Sequence, residues 1–448
     1  MRKTIPIMSL ILLSLVLINT GCRVRKNPLK MEIEQGGIYE STINFTTLEN
    51  ILDDPVGRKA RVYFPPGFLD DSTYKYPVLF LLHGFMEQGW SYKHLYNIKS
   101  IADEMISTGE IQPMIIVMPN GAGKFGGSFF TNSVTPDGKN FGGKYEDYIT
   151  QELRDSIFYN YGRYIRGIVY KVTYDYDTNW TITYDTICMV TTTPCPPDSI
   201  QRVDTLVTYT VDTTKTTETN ISDDTAFFRR NFAIAGLGNG GYGAIRIATD
   251  YPLYYGSASA MSAPLHFASF ADLIPAFLDS NGVDANGHGY YDIDPINDEL
   301  DRLSSLFFAM AVAFSPHDPA DSDTTTFFRL VPSTQKTGVD LPFDSLGNTV
   351  SSIWQDEWLA NDLLTRILSI PESNLRNLKL YIDCGNNDEF SFDEQSQAFY
   401  DALPSGVKNN TIFEIYSGYP GYPAYNNSFV YDRLRKVLKF HSDCFTAP

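Results

Sequence analysis

The stretch NFAIAGLGNGGYGAIRIA, residues 231–248, sets an apolar run, a glycine-dense turn and a helix-like segment in succession. That layout suits a turn that raises one side chain above the end of a sheet strand. In a G-x-S-x-G turn the central serine attacks an acyl carbon, a histidine takes its proton, and a carboxylate orients the histidine. Two backbone N–H groups then hold the oxyanion. Here the frame is Gly236-Leu237-Gly238-Asn239-Gly240, with Gly238 at the centre. Glycine accepts a strained backbone at no steric expense. The turn is kept and the hydroxyl is missing.

The elements that must hold such a turn are legible on either side of it. GGIYESTINFTT and RKARVYFPPGF alternate apolar and polar residues as half-buried antiparallel strands do. YPVLFLLHG, MIIVMPNG, FAIAGL, YYGSASAMS, LKLYIDCG and TIFEIYSG are short apolar runs ending in turn residues, as expected of strands covered on both faces. Between them, SYKHLYNIKSIADEMIS, YEDYITQELRDSIFYNY, DEQSQAFYDALP and FVYDRLRKVLKF have helical spacing. Strands alternating with helices predict an α/β fold, a mostly parallel sheet with helices on both faces.

Two segments depart from that rhythm. Residues 165–225 are threonine-rich with period-two alternation, which favours strands over helix and predicts a β insertion built of hairpins. Residues 267–352 mix one helical pattern, ELDRLSSLFFAMAVAF, with long polar loops, as a lid-like insertion would. The main domain is therefore expected over 37–164 and 226–448.

The chain has 448 residues, 43% of them hydrophobic, enough for a substantial core. Its formal charge of −18 argues against nucleic acid or an anionic membrane surface as partner. Residues 1–21 read as an export signal, with Arg2 and Lys3 ahead of an apolar run to Ile18 and then NTGC. The segment resembles a bacterial lipoprotein signal, which implies cleavage before Cys22, lipidation of its sulfur and a place in the cell envelope, with residues 22–36 as linker. In an exported chain disulfides are permitted. Cys188 and Cys195 bracket a short stretch suited to closing a hairpin end, while Cys384 and Cys444 read as one buried and one surface thiol. In DSNGVDANGHGYYDIDPIND, Asp284, Asn286, His288 and Asp292 fall at the first, third, fifth and ninth places of a calcium loop, with Gly289 at the sixth. Pro295 stands at the twelfth, where a bidentate glutamate belongs, so a solvated acidic loop is the competing reading and no cofactor is assigned.

Taken in order, RVYFPPGF, PVLFLLHGF, IIVMPNG, YEDYITQEL, AIAGLGNGGYGAIRIA, SAMSAPL, VDLPFDSLGN and YIDCGNNDEF resemble the esterase branch of the α/β-hydrolases, the group of esterase D and the feruloyl and acetyl-xylan esterases. The resemblance implies the α/β-hydrolase fold and carboxylic ester hydrolysis, often on plant polysaccharide decorations. It makes Gly84 and Phe85, after His83, the loop that supplies one oxyanion amide, with Asn239 supplying the other. Asp388 matches the triad acid. The triad histidine is expected after the last strand, where SGYPGYPAYNNSFVYDRL has none, and Tyr425 or Asn426 stands near its place. Neither is a base near neutral pH. Of the histidines elsewhere, His441 reads as a surface or C-terminal packing residue and His83 as a support of its loop. His266 has no nucleophile evident beside it, and Ser262 reads as a packing hydroxyl.

Losing either nucleophile or base typically lowers serine-hydrolase turnover about a millionfold, and losing the second adds little, because the two act as one unit. The sequence therefore predicts an envelope-anchored esterase relative without acyl-enzyme chemistry, keeping a pocket for a glycan or ester ligand. Two other readings stay open: an active ester hydrolase with relocated groups or a metal-bound water, and an envelope interaction protein using the β insertion.

Overall fold

The computed structural model describes residues 37–447, apart from 53–55, 71–72, 189–199, 222–223, 282–290, 294–301, 318–325, 331–335 and 345. The export signal, Cys22, Cys195, Asp284, Asn286 and His288 lie outside the described residues. Of Cys188 and Asp292 the backbone alone is described, so neither the disulfide nor the calcium loop is tested. Among the described residues, no helix is long and apolar enough to cross a membrane.

Eight strands form the central sheet. They are β1 (Gly37–Asn44), β2 (Gly57–Phe64), β3 (Val78–Leu82), β4 (Ile115–Met118), β5 (Phe232–Leu237), β6 (Ser257–Met261), β7 (Lys379–Gly385) and β8 (Thr411–Tyr416). Their spatial order is β1-β2-β4-β3-β5-β6-β7-β8. The β1–β2 and β2–β4 pairs are antiparallel, and the rest of the ladder is parallel. This is the mostly parallel sheet that the alternation of strand and helix patterns implied, in the α/β-hydrolase form that the family resemblance implied.

The apolar runs are continuous because both faces are covered. Val78, Phe80 and Leu82 of β3 join Ile234 of β5 in one core, while Leu79 and Leu81 join Ala233, Ala235 and Leu237 in the other. The first core is closed by α2 (Arg154–Tyr161) and α3 (Asn239–Asp250), the second by α1 (Ile98–Ser107) and α6 (Val430–Cys444). The helical pattern over 91–107 breaks at Asn97, whose φ of +50° lies in the left-handed region, so α1 begins at Ile98.

The threonine-rich insertion, expected as hairpins over 165–225, forms a single long hairpin of Ile168–Cys188 paired with Ile200–Ile221. The segment 267–352 contributes α4 (Arg302–Phe314) and a small four-stranded sheet. α4 is apolar nearly all round, and residues 304–311 are buried under its neighbours, so it is a core helix of the insertion. The last elements bearing on the site are α5 (Phe392–Ala402), after β7, and α6, after β8.

Candidate active site

The elbow lies between β5 and α3. Gly238 has φ +55° and ψ −122°, a conformation that disfavours any side chain. Its N–H donates to the Met261 carbonyl at 2.8 Å, and its carbonyl accepts from the Tyr242 N–H at 3.0 Å. A Cβ here would find the Phe85 nitrogen, 3.5 Å away, as its nearest neighbour. There is space for a side chain, aimed toward the oxyanion loop. The flanking glycines differ. A Cβ on Gly236 would lie 2.1 Å from the Gly240 carbonyl carbon, and one on Gly240 would lie 2.4 Å from the carbonyl oxygens of Leu82 and His83. Packing of helix against strand requires those two glycines, whereas only the backbone angles favour one at 238.

The oxyanion loop follows β3. His83 is buried, its Nδ1 2.9 Å from the Gly84 carbonyl and its Nε2 accepting from the Gly121 N–H at 2.9 Å. The Nε2 contact fixes the tautomer with the proton on Nδ1. Burial lowers its pKa to about 4, against a smaller upward pull from the Gly84 carbonyl, so the ring stays neutral and holds the loop. The Gly84 N–H donates to Glu87 Oε2 at 3.0 Å, and Tyr96 donates to the other oxygen of Glu87. These bonds hold the loop beside the elbow. Asn239 opens α3, so its N–H has no intrahelical acceptor and sits at the positive end of the helix dipole. The amides of Phe85 and Asn239 thus flank one space, as oxyanion donors must.

Asp388 lies in the loop between β7 and α5. One of its oxygens accepts from the N–H groups of Phe390 at 2.9 Å and Phe392 at 3.3 Å. The other accepts from the Cys384 thiol at 3.5 Å. Burial raises its pKa to about 6, and the two amide bonds pull the other way.

Of the two residues near the expected histidine place, Asn426 is 6% exposed and lines the pocket with Asn427, whereas Tyr425 is 46% exposed and is not in the lining. Arg433, which belongs to none of the motifs singled out in the sequence, fixes this loop. It is buried on α6, donates to the carbonyl of Asn426 at 2.8 Å and to Ser262 Oγ at 3.0 Å, and pairs with Asp383 at 2.6 Å. A cation in the last helix facing an aspartate in the penultimate strand was the available signal; the contact spans 50 residues.

The other histidines are engaged elsewhere. His441 is fully buried within α6, between Ser257 Oγ at 2.8 Å and Ser259 Oγ at 3.0 Å, which corrects the surface reading: the helix continues past Phe440 and turns this ring onto the sheet. Burial alone lowers its pKa to about 3. His266 Nδ1 is 3.5 Å from Asp362, itself the cap of the helix Leu363–Ser369, and His317 Nδ1 is 2.9 Å from Asp340. Ser262 is a buried packing hydroxyl, with φ +43°. Cys384 is a buried free thiol and Cys444 is half-buried. Among the described residues, no group of three or more metal-binding side chains occurs.

The pocket over the elbow is a shallow cleft that opens to solvent, and the space of about 370 Å³ above its floor includes that open solvent. Its walls are largely aromatic, with Phe85, Phe129, Phe390 and Phe392, and Arg302 of α4 stands at its edge, bonded to Glu389 at 3.0 Å. Asn239 borders it, and both polar atoms of its side-chain amide are buried without a hydrogen-bond partner.

Sheet order, elbow, oxyanion loop and acid loop define an α/β-hydrolase. The family described as "Putative esterase" matches residues 56–169 and 210–429, and the chain belongs to it. Among solved structures, a ferulic acid esterase is 17% identical with a TM-score of 0.48, the match covering 92% of this chain and 99% of that one. An S-formylglutathione hydrolase from Agrobacterium tumefaciens is 13% identical, TM-score 0.47, with 92% and 96% covered. A ferulic acid esterase from Anaeromyces mucronatus, solved with ferulic acid, is 13% identical, TM-score 0.40, with 92% and 94% covered.

Proposed function

We propose that this esterase-family protein binds an ester or glycan-borne acyl ligand in the elbow pocket and does not hydrolyse it. The observation that carries this is the elbow itself, where Gly238 keeps the nucleophile's backbone geometry and presents no oxygen.

Acyl transfer needs an atom to attack the carbonyl carbon and a base to take that atom's proton. Gly238 offers no attacking atom, and Asn426, in the base's place, does not titrate in the physiological range. Asn426 cannot accept the proton of a water in the vacated space as the histidine of a triad would. What persists is the binding half of the machinery. The amides of Phe85 and Asn239 can hold a carbonyl or carboxylate oxygen, and the phenylalanine walls can cover an apolar acyl group. The buried amide of Asn239 supports a ligand role, since each orphaned polar group costs about 1–3 kcal/mol that a bound partner could recover.

The test is a panel of aryl and feruloyl esters, together with a fluorophosphonate probe. It compares the wild-type chain with Gly238→Ser, Asn426→His and the pair. The wild type is expected to show no covalent adduct and no turnover above the background of a parallel mock purification. Gly238→Ser with Asn426→His is the combination in which an adduct can form. An adduct on the wild type mapped to any residue of the pocket, or ordinary turnover with contaminating esterase excluded, overturns the reading.

A further inference from the structure

Between Glu414 and Asp432 the chain has 17 consecutive residues without a charged side chain, and tyrosines fall at every third place: Tyr416, Tyr419, Tyr422 and Tyr425. The loop begins at the end of β8 and carries Asn426 and Asn427 into the pocket lining. Its tip is a tight turn. Tyr422 N–H donates to the Tyr419 carbonyl at 2.8 Å, Tyr419 N–H donates to the Tyr422 carbonyl at 3.0 Å, and Gly421 has φ +82°. With Pro420 ahead of Gly421, this is a type II turn. Two residues that exchange both bonds lie directly opposite on one face of the ribbon, their Cα atoms ~5.5 Å apart. Tyr419 and Tyr422 are therefore bridge partners at the tip of the turn, 69% and 72% exposed.

The pair is held rigidly. A Cβ on Gly418 would lie 2.1 Å from the Tyr422 carbonyl oxygen, so the ribbon closes only with glycine there. The Tyr419 ring stands edge-on to Phe429 at 5.5 Å, and the base of the loop is gripped by Arg433, which lies over the Tyr416 ring at 4.9 Å. Large aromatic rings kept exposed on a fixed turn lose little entropy on binding.

We propose that Tyr419 and Tyr422 form a stacking subsite for a neutral glycan chain whose substituent reaches the elbow pocket. This deepens the reading of that pocket as a ligand site by giving the ligand's chemistry. A sugar ring offers a face of polarised C–H groups to the electron-rich face of tyrosine, and its hydroxyls can pair with the phenolic oxygens. The charge-free loop, in a chain of formal charge −18, provides nothing to attract a polyanion and no carboxylate to hold a polycation. Two rings are also too small a patch for a stable protein partner, which needs about 800 Å² on each side. Reach fits as well, since the four-residue step from Tyr422 to Asn426 spans at most ~14 Å.

The experiment is native affinity electrophoresis in gels containing soluble arabinoxylan, mixed-linkage β-glucan or, as a charged control, polygalacturonate, with sedimentation velocity on the same proteins. At least one neutral polysaccharide is expected to retard the wild type. Tyr419→Ala with Tyr422→Ala should weaken that retardation about tenfold or more, while Tyr419→Phe with Tyr422→Phe keeps most of it. Ester turnover plays no part in the readout, so an active wild type would sink the preceding proposal and leave this one standing. Retardation by neither neutral polymer, retardation by polygalacturonate alone, unchanged affinity in the double alanine variant, or self-association abolished by that variant would each overturn it.

Discussion

Asp388, which the family resemblance matches to a triad acid, has no histidine among its hydrogen-bond partners, and its titration should register its burial. In the folded chain its pKa is raised to about 6, because burial outweighs the amide bonds from Phe390 and Phe392. Its ordinary value is near ~3.9. Between those values the folded state holds the proton more tightly than the unfolded one. Stability tied to this group is therefore largest at low pH and is lost as pH rises through about 6. Asparagine can still accept from both amides and carries no charge. Asp388→Asn is accordingly expected to be more stable than wild type at pH 7.5 by about 1–2 kcal/mol, discounted for the part of the group that faces solvent, with the advantage gone below about pH 3.5. Urea denaturation at the two pH values measures it. Parallel stability curves for the two proteins would show that the carboxyl is ionised without penalty.

At the scale of elements, strand β7, the loop after β8 and the last helix meet at Arg433. Its guanidinium pairs with Asp383 of β7 while donating to the carbonyls of Asn426 at 2.8 Å and Ser428 at 3.3 Å. Both charges are buried, 3% and 1% exposed. Removing one leaves the other without compensation, at about 3–5 kcal/mol, whereas removing both is close to neutral in many proteins. Arg433→Met should destabilise by that amount and speed amide exchange through 417–429, and adding Asp383→Asn should restore at least half the stability while the loop stays loose. Additive effects of the two substitutions would mean that the pair is not coupled. The same contact explains what the sequence could and could not reveal. The strands of the sheet were legible because their apolar runs are short and bounded by turns. Gly238 and Asp388 were legible because each sits at the end of such a run. The choice between Tyr425 and Asn426 was not, since nothing local distinguishes them and the register of the loop is set from Arg433. His441 could be read as a surface or a C-terminal packing residue, and the packing role holds; its burial between Ser257 and Ser259 depends on a helix packing across the sheet, which periodicity near a chain end does not resolve.

On the scale of the whole molecule, the long hairpin poses the question of what is dispensable. Its strands of 21 and 22 residues would extend ~70 Å, and they pair only with each other. A two-stranded ribbon is marginal alone, so the hydrolase body should gain little stability from it. The root is different. Ile165 and Ile168 are buried in the main core. Arg166 donates to the Lys75 carbonyl at 2.8 Å and to the Thr446 carbonyl at 2.6 Å, binding the insertion's start to both the sheet and the chain end. A Cβ on Gly167 would press on Phe228 Cα at 2.8 Å, so the two ends of the insertion are in contact there. Tyr170 and Thr219 are register partners, and a two-residue Asn-Gly turn can join them directly. Replacing residues 171–218 by Asn-Gly is therefore expected to leave a soluble protein whose Tm lies within about 3 °C of the full chain, as calorimetry would measure. A cut that also removes 165–168 should lower Tm far more, because it takes core side chains and the Arg166 bonds with it. If the shorter cut unfolds the protein as well, the ribbon is part of the body's packing, and the description of a sheet sealed by helices on its two faces is incomplete.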